Sequence, residues 1–189
     1  MTRAWLGVSA ALLALLAGVA AGCGSDKITD TDLKSAITQI RDATEKYKDY
    51  KVALKDGFTN TKNCVESPDG AKGGAAGIHF INFKRELDNK SDLRAPEELN
   101  YEPQADGSLV LVGVEFRRPI IKGQKQAPDV KPLGHLDGPL PPTIKGDFRH
   151  WQTHMWVWRN NPDGIFAPWN PKISCGNYKP TIQAPAAFG

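Results

Sequence analysis

The sequence predicts an α+β fold, with an N-terminal amphipathic helix packed on a curled, mainly antiparallel sheet. Three observations carry that prediction. Residues 31–55 place apolar side chains at helical spacing. The later apolar stretches alternate with a period of two, or are short runs bounded by Gly, Pro, Asn or Asp. No helical pattern recurs between those runs, which argues against a parallel, helix-alternating sheet.

The chain opens with Arg3 and a charge-free apolar run from Trp5 to Ala21. The run is short for a spanning helix and small residues follow it, so it reads as a secretory signal. The residues Val19-Ala20-Ala21-Gly22-Cys23 resemble the lipobox of bacterial lipoproteins, except that Ala20 stands where that motif usually has leucine. The resemblance implies that Cys23 is the lipidated first residue of the mature chain, anchored to a membrane in the bacterial cell envelope, on the extracytoplasmic side. The other reading is ordinary signal cleavage nearby, with Cys23 incidental. The expected organisation is a signal peptide over 1–22, a tether over 23–30, one globular domain over 31–176 and a loose tail over 177–189. About 165 residues then remain, enough for one domain with a real core.

Formal charge is +3, or +2 without Arg3, with 23 basic against 21 acidic residues. So small a surplus, with no basic cluster interleaved with aromatics, argues against nucleic acid as a partner. With Cys23 assigned to lipid, Cys64 and Cys175 remain. In an oxidising compartment two such thiols pair. There is no Cys-x-x-Cys to suggest a redox or thiolate metal site.

In chain order, Thr29-Asp30-Thr31-Asp32 offers a threonine N-cap and an acidic first turn. Leu33, Ile37, Ile40, Tyr47 and Leu54 make the buried stripe of one helix, 31–55, with Gly57 as its C-terminal stop. Residues 58–76 read as a glycine-rich loop. A strand over 78–83 carries Ile78 and Phe80 on one face and His79 and Ile81 on the other. Residues 84–95 read as irregular, and 96–103 lead to a turn at Asp106-Gly107. The strand over 108–117 is apolar on both faces, hence central, with Glu115 as the anomaly. Such a carboxylate is paired, protonated or metal-bound, or it reaches solvent at the strand end beside Arg117 and Arg118. A long Pro/Gly/Lys-rich connection, 119–145, precedes the aromatic strand 150–158. There alternation puts His150, Gln152, His154, Trp156 and Trp158 on one face. Residues 160–175 then wrap back over the sheet.

Histidine nitrogens with a carboxylate oxygen suit a divalent transition metal: Zn, Cu, Ni, Fe or Mn. The candidate ligands are His79, Glu115, His154 and His150. His150 joins only if the strand bends, because four residues of extended chain span about 13 Å. Gly113 is expected to leave room beside Glu115. Trp156, Trp158 and Trp169 line the approach, and Asn82, closing the strand of His79, is counted with the pocket. Three histidines and a glutamate resemble the ligand set of metal-binding cupins, but no His-x-His precedes the glutamate, so membership is not implied. Two other readings stand beside this one. In the first, these groups are separate hydrogen-bonded side chains of a structural core. In the second, a non-catalytic envelope protein binds a ligand or partner through a face of Trp151, Trp156, Trp158 and Trp169. No nucleophile elbow, dinucleotide fingerprint, HExxH or EF-hand pattern is present.

Four blocks, Arg41 to Val65, Gly77 to Asn82, Pro96 to Phe116 and His150 to Cys175, together resemble a pattern shared by largely uncharacterised secreted bacterial proteins and lipoproteins. The resemblance covers most of the mature chain. It implies a common fold without an assigned activity, and it makes His135 a local departure and a poor ligand.

Overall fold

A computed structural model describes residues 28–184, apart from 89, 91, 126, 131 and 143–146. The expected signal peptide and Cys23 lie outside the described residues.

The expected single helix is in fact α1, Asp30–Thr44, a 3-10 turn, Glu45–Lys48, and α2, Tyr50–Lys55. Thr29 caps α1, its hydroxyl accepting from the Asp32 amide at 3.1 Å. The interruption has a tertiary cause. The Tyr47 carbonyl accepts a 2.6 Å hydrogen bond from the buried Tyr101 hydroxyl, and Asp49 caps a fresh start by accepting from the Lys51 amide at 3.0 Å. The tighter 3-10 turn shifts the helical phase. Ala53 is therefore buried where the stripe placed Leu54, which is exposed.

Residues 58–76 are not a loop. They form β1, Thr59–Ser67, and most of β2, Gly70–Ile81, an antiparallel pair with several register shifts. The glycines permit backbone contact there. A Cβ on Gly77, at φ 91°, would sit 2.5 Å from the Tyr101 carbonyl oxygen, and one on Gly74 would sit 2.2 Å from that of Asn170. Phe83, expected to end the strand, and 84–87, expected to be irregular, form the short helix α3, Phe83–Leu87. β3, Glu98–Pro103, and β4, Leu109–Pro119, flank the expected turn, where the Gln104 amide donates to the Ser108 carbonyl at 2.9 Å. The long connection holds β5, Asp129–Val130, β6, Gly134–His135, and β7, Asp137–Leu140. The aromatic strand is β8, His150–Met155. The tail expected to be loose from 177 carries β9, Thr181–Gln183, parallel to β1. β9 gains order by meeting the free edge of β1, a pairing that no local pattern announces.

One sheet runs β7-β8-β4-β3-β2-β1-β9, and β5 and β6 form a separate pair. Only the β1–β9 pairing in the large sheet is parallel. Both terminal strands of the seven line one cavity. A flat sheet of that width would hold them about 29 Å apart, so the sheet is curled around the cavity. The fold is α+β.

The two faces differ in chemistry. Phe80, Leu99, Val114 and Met155 are cross-strand neighbours and belong to the apolar core that also takes Ala36, Ile40, Tyr47 and Ala53 from the helical segment. The other face carries Glu98, Glu115 and His154 in register, with His79 opposite Asn100. A disulfide joins Cys64 of β1 to Cys175, with Cα atoms 5.6 Å apart. Among the described residues no helix is long and apolar enough to cross a membrane.

Candidate functional site

β-pairing assembles the site. Glu115 lies opposite Glu98 on one side and His154 on the other. His79 of β2 meets the same row through Asn100 and Glu98. Glu115 Oε1 is 2.9 Å from His154 Nε2 and 4.0 Å from His79 Nε2, and it accepts from Asn100 Nδ2 at 2.6 Å. His79 Nδ1 is 2.5 Å from Glu98 Oε1, and Glu98 Oε2 accepts from Arg117 at 2.6 Å. All these side chains are buried.

Proximity is not matched by hydrogen bonding. His79 Nε2, His154 Nε2, Glu98 Oε1, Asn100 Oδ1 and Glu115 Oε2 are buried with no hydrogen-bond partner. The short His–Glu contacts thus leave several buried polar atoms unsatisfied, which is costly in a buried site. Ligand atoms of His79, Glu98 and Glu115 all lie within 4.8 Å of one another, so these residues could hold a metal ion.

Electrostatics bind the cluster together. Burial pulls the His79 ring down, but the Glu98 and Glu115 carboxylates outweigh it and leave its pKa raised. Burial pushes the Glu115 carboxyl up, and the His154 and His79 rings overcome that and hold it well below the usual carboxylate range.

The site opens into a cavity of about 730 Å³. His79, His154 and Gln152 face it from the sheet, β7 and the prolines after it form one wall, and Trp169 and Ile182 contribute to the others.

His79, Glu115 and His154 thus come together as expected from alternation, and His150 does not join them. Its Nδ1 lies 2.8 Å from the Phe148 carbonyl and 3.0 Å from Arg117, and its Nε2 lies 2.8 Å from Gln152 Oε1. Both ring nitrogens are engaged. A second group, Glu86, Asp147 and His150, has metal-like spacing, but the Arg117 guanidinium already supplies its positive charge, 2.9 Å from Asp147 and 3.6 Å from Glu86.

The other corrections are steric. A Cβ on Gly113 would meet the Met155 carbonyl at 3.1 Å and the Trp156 ring at 3.3 Å, so that space belongs to β8 and not to a ligand. Trp156 stands behind the site. Its ring stacks on His154 at 5.8 Å, and its N–H donates to the Ala167 carbonyl at 2.6 Å. Trp158 lies on the helical side and donates to Thr44 Oγ1 at 3.1 Å, because β8 ends at Met155 and alternation ends with it. Asn82 caps α3 and donates to the Asp56 carbonyl at 3.1 Å. Trp169 alone of the three expected tryptophans lines the cavity. Glu98 and Asn100 were missed. Both sit in the Pro96–Pro103 run, and strand alternation with Leu99 and Tyr101 was the available signal.

Comparison of the chain with protein-family models, with curated proteins and with solved structures found no match.

Proposed function

We propose that this chain is a lipid-anchored extracytoplasmic domain whose cavity floor binds a divalent transition metal. His79 and Glu115, whose ligand atoms converge with one from Glu98, and His154, 2.9 Å from Glu115, supply the donors, and Glu98 faces the far nitrogen of His79. One observation carries the reading: His79 Nε2 and His154 Nε2, on two residues that line the cavity, and Glu115 Oε2 beside them are buried without hydrogen-bond partners. Two imidazoles and a carboxylate are a donor set for such ions, and a ligand histidine commonly turns its other nitrogen to a carboxylate. A metal held there with an open position would polarise a bound ligand or activate water.

The lipid on Cys23, the envelope location and kinship with secreted bacterial proteins belong to the same proposal. They rest on the apolar leader ending in Ala-Gly-Cys and on the four sequence blocks. The disulfide fits an oxidising compartment. A non-catalytic ligand-binding reading has one specific support, the buried, unpartnered Trp169 N–H at a residue lining the cavity.

Elemental analysis after dialysis against each divalent ion tests the metal. The wild-type domain is expected to retain about one equivalent, and His154→Ala is expected to lose it while keeping the disulfide and the circular dichroism spectrum. A folded wild-type domain that stays metal-free would overturn the reading in favour of a structural cluster.

A further inference from the structure

The walls of the cavity say what kind of molecule fits above the floor. We infer that the cavity takes a small, flat, apolar ligand with one oxygen-bearing chelating head, the head at the His79–Glu115–His154 floor and the body against Trp169. This deepens the metal reading and rests on it.

Three observations support the inference. The cavity is lined mainly by apolar residues, with prolines at 139, 141, 142 and 168 and the side chains of Leu140 and Ile182. Stiff, flat surfaces of this kind favour a ring over a flexible polar chain. Among the described residues no lysine or arginine lines it, and Asp137 does, so these walls offer an anionic body no partner. The polar groups converge at the floor, where the two histidines stand beside Gln152.

Trp169 is held ready for this role. The Ala75 and Asn170 backbones exchange two 3.2 Å hydrogen bonds, and the Trp169 carbonyl accepts from Asn161 Nδ2 at 2.8 Å. The close approach of Asn170 to Gly74 leaves that segment no slack. The Trp169 N–H is itself buried without a partner, so the ring offers the cavity its apolar surface.

Two hydroxamates that share one chelating head and differ in body provide the test. Calorimetric titration of the zinc-loaded protein compares benzohydroxamate with acetohydroxamate. Burial of the phenyl ring is expected to make the first bind at least about tenfold more tightly, and only when zinc is present. Trp169→Ala, and separately Ile182→Ser on the facing edge, should cut that ratio and leave zinc content and acetohydroxamate affinity unchanged. Equal affinity of the two probes for the zinc-loaded protein overturns the inference and leaves the metal reading standing. So does benzohydroxamate binding that is the same without zinc. A folded protein that takes up no zinc overturns both.

Discussion

Arg117 shows how much charge this protein buries. It is fully buried and serves Glu98, Asp147 and Glu86 at 2.6, 2.9 and 3.6 Å. The row runs on through Glu98 to His79 and the cavity floor. Glu86 is the weak member. Both its oxygens lack hydrogen-bond partners, and burial, opposed by Arg117, pushes its carboxyl up to about 7. A carboxyl raised in the folded state stabilises fully below its unfolded pKa, and that stability is lost as pH rises through the folded value. The raised His79 ring acts in the same direction. The His150 ring, held down by burial and Arg117, acts in the opposite direction, so the contribution of Glu86 is the one followed: up to about 3 kcal/mol lost from the metal-free domain between about pH 5 and pH 8. Glu86→Gln should flatten that slope in urea titrations across the range. An unchanged slope would show that Arg117 compensates Glu86 fully. At this scale alternation was readable: it put His79, Glu115 and His154 on one face. Of the partners of His150, Phe148 and Gln152 are chain neighbours, but Arg117 was not readable, because it reaches the ring through the pairing of β4 with β8.

At the scale of elements, a strand is legible in the sequence only where its side chains carry a pattern of their own. β4 was legible as a continuous apolar run and β8 as an aromatic-rich one, both bounded by turn residues. β1 and β2 were not, because Gly70 to Gly77 carries almost no side-chain pattern. Those glycines serve contacts made by other segments. Gly77 and Gly107 separate strain from contact. Both have positive φ, but a Cβ on Gly107 meets nothing within 4 Å, whereas one on Gly77 meets the Tyr101 carbonyl at 2.5 Å. Gly107→Ala is expected to cost about 1–2 kcal/mol, the backbone strain alone. Gly77→Ala should cost about 3 kcal/mol or more, from strain plus overpacking. Chemical denaturation of the two variants checks this, and equal losses would place the whole effect in the backbone. The helix break at Tyr47 follows the same rule, since the bond that takes its carbonyl comes from Tyr101 on β3.

Over the whole molecule, the disulfide and β9 hold the cavity's far wall. The bridge spans 111 residues of sequence and joins β1 to the segment that follows Trp169. β9 then lies along β1, with Thr181 opposite Cys64. In the chain-entropy model a loop of this length contributes about 4–5 kcal/mol. Replacing both Cys64 and Cys175 by serine is expected to lower unfolding stability by that order, read from urea midpoints at constant slope. A loss below about 1 kcal/mol would mean that the strand pairings alone hold the wall.

The sequence by itself determined the class of the fold, the central place of β4, the pairing of the two remaining cysteines and the face shared by His79, Glu115 and His154. These follow from local periodicity and composition, which a chain carries whatever it packs against. Tertiary structure decided the rest. Curling brought β7 and β9 to one cavity. Cross-strand register set Glu98 and Asn100 beside the histidines, and the extended course of β8 kept His150 apart, beside Arg117. Such outcomes depend on which segments meet, and contacts between residues far apart in the chain leave no periodic mark in it.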